Sequence, residues 1–166
     1  MDKLLLEYPW LSKVVSLSKD NGLDWLLMVC LALELSGGDP RCRTLDSDFL
    51  LEHMGADCPL TARHWYNGVP DVELFDLATR WGLFQILGRV AVEKSIYSGR
   101  FINFIEAGSN TRAACMLMTS IINNGGTIDD GIRYFGADPS RVYRLMNESR
   151  ESIEVMLHIT EEATVD

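Results

Sequence analysis

The chain contains no run of lysines and arginines, and its net charge is −9. Nucleic-acid binders concentrate such residues to replace the counterions on phosphates, so the charge pattern argues against a nucleic-acid partner and offers no attraction to an anionic membrane. Long apolar stretches are missing too: the longest, Trp25 to Leu33, is far short of the roughly 20 residues that span a bilayer, and no membrane insertion is expected. The segment Met1-Asp2-Lys3-Leu4-Leu5-Leu6-Glu7-Tyr8-Pro9 lacks a basic start, a sustained apolar stretch and a small-residue cleavage site, so no secretory leader is expected. No alternating apolar–polar pattern lasts more than a few residues and no segment repeats. What remains is a mostly α fold.

Cysteine is sparse. Cys30, Cys42, Cys58 and Cys115 allow three disulfide connectivities, but without a leader free thiols are the expectation. Cys42 and Cys58 share a loop-rich stretch and would be the first pair to form, while Cys30 and Cys115 sit in apolar helical patterns and are expected as buried thiols. His53 and His64 lie in the same stretch, yet the spacings match no standard zinc pattern, so neither metal nor cofactor is expected.

What is present is a globular balance, with 47% hydrophobic and 23% charged residues. At 166 residues the chain is expected to form one domain over 1–166. Pro9 suits a first helical turn, with Leu11, Val14, Val15 and Leu17 forming an apolar stripe up to Asn21-Gly22. Leu23 to Ser36 is apolar on nearly every side, which predicts a buried helix, and Glu34 is the only charge in its second half. From Gly37 to Pro70 turn signals dominate, with a short helix expected at Asp48 to Met54. A short helix is predicted over Asp71 to Ala78, then a compact apolar segment Trp81 to Gly88, and a long helix over Phe101 to Ile122. Thr127 and Asp138-Pro139 open two more helices, the second reaching about His158, and Thr160 to Asp166 forms a frayed tail.

A carboxylate at the end of an apolar helix, followed by Ser36-Gly37-Gly38, stands where burial can keep it protonated while a turn exposes it to a cleft. A general acid for glycosidic cleavage needs that combination, although a carboxylate that merely solvates a helix end would look the same. Four segments add to this signal. Leu33-Glu34-Leu35-Ser36-Gly37-Gly38 resembles the glutamate-serine motif of the goose-type lysozyme and lytic transglycosylase superfamily, with Leu35 interrupting the pair. Thr79-Arg80-Trp81-Gly82-Leu83-Phe84-Gln85-Ile86 is similar to that family's serine-x-x-Gly-Leu-Met-Gln-Ile motif. Phe101-Ile102-Asn103-Phe104-Ile105-Glu106-Ala107-Gly108 resembles its asparagine-containing helix opening, and Tyr134-Phe135-Gly136 its Tyr-Asn-Gly motif, with Phe135 in place of asparagine.

The resemblance covers about Leu23 to Met146 and implies a lysozyme-like helical domain that cleaves the β-1,4 bond between N-acetylmuramic acid and N-acetylglucosamine. It implies Glu34 as the acid, with Ser36, Gln85, Tyr134, Trp81 and Asn103 meeting the substrate. Gln85 would donate to and accept from a sugar, Tyr134 would orient Glu34 or the sugar, and Trp81 would stack on a sugar face. Their ordinary alternatives are an exposed loop glutamine, a core tyrosine and a core tryptophan. His64, Trp65 and Tyr66 could line sugar subsites or seal a small satellite core. Leu87 stands where goose-type lysozymes often carry a catalytic aspartate, so hydrolysis would need another base, Asp76 first and Asp46 or Asp48 less specifically. A lytic transglycosylase needs only Glu34, because the muramyl C6 hydroxyl is its nucleophile. The expected partner is peptidoglycan, reached from a phage particle, through a lysis pore or within a larger parent protein. Peptidoglycan carries peptide carboxylates of its own, so a net charge of −9 does nothing for binding and local pocket shape must do it. A non-catalytic wall-binding or virion module, and an unrelated helical interaction domain, are the competing classes.

Overall fold

In the computed structural model, residues 8–49, 71–97 and 99–162 are described, with side chains over 8–49, 75–97 and 99–155. Helix α1 (Leu11–Asp20) buries Leu11, Val14, Val15 and Ser18, an i, i+3, i+4, i+7 stripe that lays one face on the core. Asp24 then caps α2 (Trp25–Ser36), its carboxylate accepting the N–H groups of Leu26 and Leu27 at 2.8 and 3.3 Å. Every residue from Leu26 to Ala32 is buried, because α2 runs against α1 and the last helix. Gly37, at φ 63°, closes it in the left-handed conformation that a side chain would strain.

The chain next forms β1 (Arg43–Leu45) and, after α3 (Asp71–Ala78), β2 (Thr79–Trp81) and β3 (Ile86–Leu87). These pair antiparallel in the order β1-β2-β3, with Thr44 opposite Arg80 and Trp81 opposite Ile86. Strands of two or three residues are too short to leave an alternating signature, which is why the sequence shows none. Helix α4 (Gly88–Glu93) follows directly.

The helix expected over Phe101 to Ile122 is two elements, a 3₁₀ helix (Phe101–Ile105) and α5 (Ala107–Asn123). Glu106 makes the break: its backbone is extended and its carboxylate accepts the N–H groups of Gly108 and Ser109 at 2.9 and 2.7 Å. The 3₁₀ turn buries Phe104, whose ring lies 4.4 Å from that of Tyr97. Thr127 caps α6 (Ile128–Tyr134) in a reciprocal capping box with Asp130, and Asp138 opens α7 (Pro139–Glu162), which runs past the expected end at His158.

Among the described residues the protein is mostly helical, as its pattern predicts, and it adds a small three-stranded sheet that the pattern does not. One core joins α1, α2, α5, α6 and α7 to the β2–β3 turn through Leu26, Met28, Leu31, Leu83, Phe84, Met118, Ile132 and Val142. No helix among the described residues is long and apolar enough to cross a membrane. Cys30 and Cys115 are buried free thiols, and burial pushes each up to about 11. Cys42 is free and half-buried. Cys58, His53, the His64-Trp65-Tyr66 cluster and most of the helix expected at 48–54 lie outside the described residues.

Candidate active site

Glu34 stands two residues from the end of α2, its side chain 21% exposed. Its Oε1 lies 3.4 Å from Nη1 of Arg141 in the first turns of α7, whose side chain is 63% exposed. Ser36 does not face outward as a ligand group. Its hydroxyl donates to the carbonyl of Ala32 at 2.8 Å and accepts from the N–H of Gly38 at 3.3 Å, so it closes the helix end. Gly38 must be glycine: at φ +80°, a β-carbon there would come within 2.8 Å of the Tyr8 ring and 3.1 Å of the Trp10 ring.

The turn between β2 and β3 is tied down from three directions. The N–H of Gly82 donates to the carbonyl of Cys42 at 2.9 Å, holding the turn to the segment that leaves α2. Asn110, fully buried on α5, donates through Nδ2 to the carbonyl of Trp81 and accepts through Oδ1 from the N–H of Phe84, both at 2.9 Å. Its amide packs so closely that a β-carbon on Gly82 would meet it at 2.6 Å. Phe135 closes the third side, its ring 6.2 Å from that of Phe84 and only 3% exposed. The position where the resemblance would place asparagine is therefore a core aromatic.

Gln85 is neither exposed nor free to donate. It is 5% exposed and held at φ 47°, and its Nε2 donates to the carbonyls of Gly82 and Cys42 at 2.8 and 3.1 Å. With both amide hydrogens used, Oε1 is its remaining polar atom, an acceptor only. A left-handed conformation at a non-glycine residue carries a strain of about 1–3 kcal/mol, which the surrounding bonds must offset.

Gln85 and Tyr134 share a trough of about 120 Å³, walled by Arg80, Ile86, Leu87, Val90, Leu117 and Phe135. Tyr134 is 44% exposed, not a core residue, and partial burial of its hydroxyl together with the Glu93 carboxylate pushes its phenol above the ordinary value. Arg80 is held by Asp46 at 3.1 Å, which engages one of the alternative bases. The structure thus brings Gln85 and Tyr134 together. Glu34 does not wall that trough, and neither does Asp76.

Asp76 is half-buried on α3, and its main-chain carbonyl accepts the indole N–H of Trp81 at 3.0 Å. Trp81 itself is 4% exposed and stacks on Phe101 at 5.7 Å, with the Arg43 guanidinium 5.9 Å from its ring. It occupies the core alternative, and its faces are taken by protein groups. Asn103 is exposed on the 3₁₀ helix, and its carbonyl accepts from the N–H of Glu106. The asparagine that reaches the β2–β3 turn is Asn110, missed by motif matching. The available signal was an amide within the apolar spacing of Ala107, Ala114 and Met118, which demands buried partners.

No known family model, characterised protein or solved structure matches this chain.

Proposed function

We propose that the protein cleaves the β-1,4 bond between N-acetylmuramic acid and N-acetylglucosamine in peptidoglycan, as a lytic transglycosylase with Glu34 first as acid and then as base. One observation carries this reading: three of the four segments of the resemblance meet at the β2–β3 turn, where Phe101 stacks on Trp81 at 5.7 Å and Phe135 packs on Phe84 at 6.2 Å, while the first carries Glu34 and leads to Cys42, whose carbonyl accepts from Gly82 and Gln85. A sugar chain crossing the β2–β3 turn would meet Oε1 of Gln85 and the ring of Tyr134.

The chemistry follows from one carboxyl group. Its proton passes to the glycosidic oxygen as the bond to the muramyl C1 breaks. The carboxylate so formed takes the proton of the muramyl C6 hydroxyl as that oxygen bonds to C1, giving a 1,6-anhydro end and restoring the acid. Arg141 donates to Oε1 of Glu34, whereas a general acid must itself donate a proton to the leaving oxygen, so sugar binding must displace Arg141. Exposed ion pairs contribute about 0–1 kcal/mol, so displacement is cheap. Delivery to the wall from a phage particle or at lysis belongs to the same proposal.

Muramidase action with Asp76 as base is the second reading, favoured by the half-buried position of Asp76 on the helix leading into β2. The decisive experiment digests purified peptidoglycan with wild-type protein, Glu34→Gln and Asp76→Asn and identifies the released ends by mass spectrometry. Anhydromuramyl ends from wild type and Asp76→Asn, with a loss of about 10²–10⁴-fold in Glu34→Gln, are expected. Reducing muramic acid ends that vanish in Asp76→Asn would move the assignment to a muramidase. Wild-type activity in folded Glu34→Gln, or no release by the wild type, would overturn cleavage by Glu34 and leave a wall-binding module.

A further inference from the structure

Glu34 stands in the last turn of α2, and the turn that follows has little of its own to hold it. Gly37 and Gly38, at φ 63° and 80°, are consecutive glycines, the residue with the widest backbone freedom. The bonds made inside the turn run only to its neighbours: the Gly37 N–H donates to the carbonyl of Leu33 at 2.8 Å, and the N–H groups of Gly38 and Asp39 donate to the hydroxyl and the carbonyl of Ser36.

A bond from outside supplies what the turn lacks. Trp10, 28 positions before Gly38 and only 3% exposed, donates its indole N–H to the Gly38 carbonyl at 2.6 Å in a buried contact. The Tyr8 ring stands edge-on to that of Trp10, 5.7 Å away, and both rings occupy the space that a β-carbon on Gly38 would need. Leu33, the residue before Glu34, closes the third side, 3.2 Å from the same point. Packing alone does not fix the indole. An apolar groove of about 240 Å³ runs beside it, walled in part by Leu11, Val29, Leu33 and Ile153, so the ring has room to shift and the hydrogen bond sets its place.

We propose that Trp10 is a positioning residue for Glu34: its bond to Gly38 selects one arrangement of the two glycines, which keeps the last turn of α2 wound and the carboxyl aimed at one point. The proposal rests on Glu34 being the acid of the cleavage reaction. Without the indole donor the Gly38 carbonyl is left buried and without a partner, and the glycines let its peptide swing towards water. That swing pulls on the Gly37 N–H, which closes the helix end on Leu33, and the last turn unwinds through Glu34. A displacement of about 1 Å at a reacting group can cost about 10²-fold in rate. Sugar binding should be spared, because Gln85 is held by Gly82 and Cys42 and Tyr134 belongs to α6.

The test compares the full-length chain with three variants. Trp10→Phe keeps an aromatic ring and removes the donor, Tyr8→Leu removes the edge-on ring and leaves the donor, and Asp24→Ala uncaps the opposite end of α2. Initial rates are measured on soluble peptidoglycan strands of defined length, and exchange of the Gly37 amide hydrogen is followed by NMR. Trp10→Phe is expected to lower kcat about 10–100-fold with KM within about twofold, the mark of a lost transition-state interaction, and to speed Gly37 exchange about tenfold or more. Tyr8→Leu should fall between it and wild type. Asp24→Ala should unfold at lower denaturant yet keep the wild-type kcat and Gly37 exchange, because its loss lies at the far end of the helix. A wild-type kcat in Trp10→Phe, or an equal loss in Asp24→Ala, would overturn the positioning role and leave cleavage by Glu34 standing. If Trp10→Phe does not fold, Tyr8→Leu decides, and wild-type kcat and exchange in that variant overturn the role. Gly37 exchange that depends on Trp10 in a protein that cleaves no strand would sustain the anchor and remove the cleavage reading.

Discussion

Replacing Asn110 by alanine tests whether the β2–β3 turn depends on α5. The change removes the acceptor for the Phe84 N–H and the donor for the Trp81 carbonyl, both at 2.9 Å and buried. A buried polar group left without its partner costs about 1–3 kcal/mol, so two of them and a small cavity should cost about 3–5 kcal/mol. For a chain of this size that is a fall in Tm of about 6–20 °C, a large share of the 5–15 kcal/mol typical of a domain. Asn110→Asp should lose as much at neutral pH, because it keeps the acceptor for Phe84 but turns an oxygen towards the Trp81 carbonyl. The exposed Asn103 is the control, and Asn103→Ala should stay within about 0.5 kcal/mol. Urea denaturation followed by tryptophan fluorescence measures all three. A loss under about 1 kcal/mol in Asn110→Ala, with unchanged m-value, would refute the view that Asn110 holds the turn.

Two further outcomes follow from local chemistry. Glu106→Ala should cost about 1 kcal/mol at pH 7 by leaving the first N–H groups of α5 without a cap. Burial raises the Glu106 carboxyl, but hydrogen bonds from Gly108 and Ser109 with the nearby Lys13 outweigh it and hold the group below its ordinary value. Its contribution is therefore present above the unfolded-state pKa and lost as pH falls through the folded one, so wild type and Glu106→Ala should converge in acid unfolding curves. Cys30 and Cys115, raised to about 11, remain thiols at pH 8 and should resist iodoacetamide that modifies Cys42, as peptide mapping would show. Modification of Cys30 in native protein at the rate of a free thiol would contradict that burial.

The helical elements were legible because their signals are local. Thr127 three residues ahead of Asp130, and Asp138-Pro139, each state a helix start in a few residues, and the run apolar on all sides marks α2, although its cap at Asp24 emerged only from the structure. The division of 101–122 was hidden, since Phe104 and the residues after Glu106 keep helical spacing while Glu106, an uncommon cap, turns the chain between them. The site was legible as composition but not as contacts. Gln85 reads as a loop glutamine, and only Cys42, 43 positions away, makes it a buried one. Glu34 at the end of α2 followed from periodicity, whereas its ion pair with Arg141, 107 positions on, could not. Phe135 and Trp81 show the same limit: their types permit either core or ligand contact, and packing decides.

The partners of the β2–β3 turn also fix when it can form. Asn110 lies 26 and 29 positions from Phe84 and Trp81, and Cys42 lies 43 from Gln85. Those bonds require loops to close before they return anything, while α1, α2 and α5 gain a bond with each residue added. The helices can therefore assemble with the turn still open, and the strain at Gln85 favours that order. The chain should pass through a collapsed, helix-rich population without an ordered trough, and substitutions at Asn110 should speed unfolding more than they slow folding. Burial of Trp81 on refolding would then lag behind helix content, reporting closure of the four-residue turn from Gly82 to Gln85 and not collapse of the core.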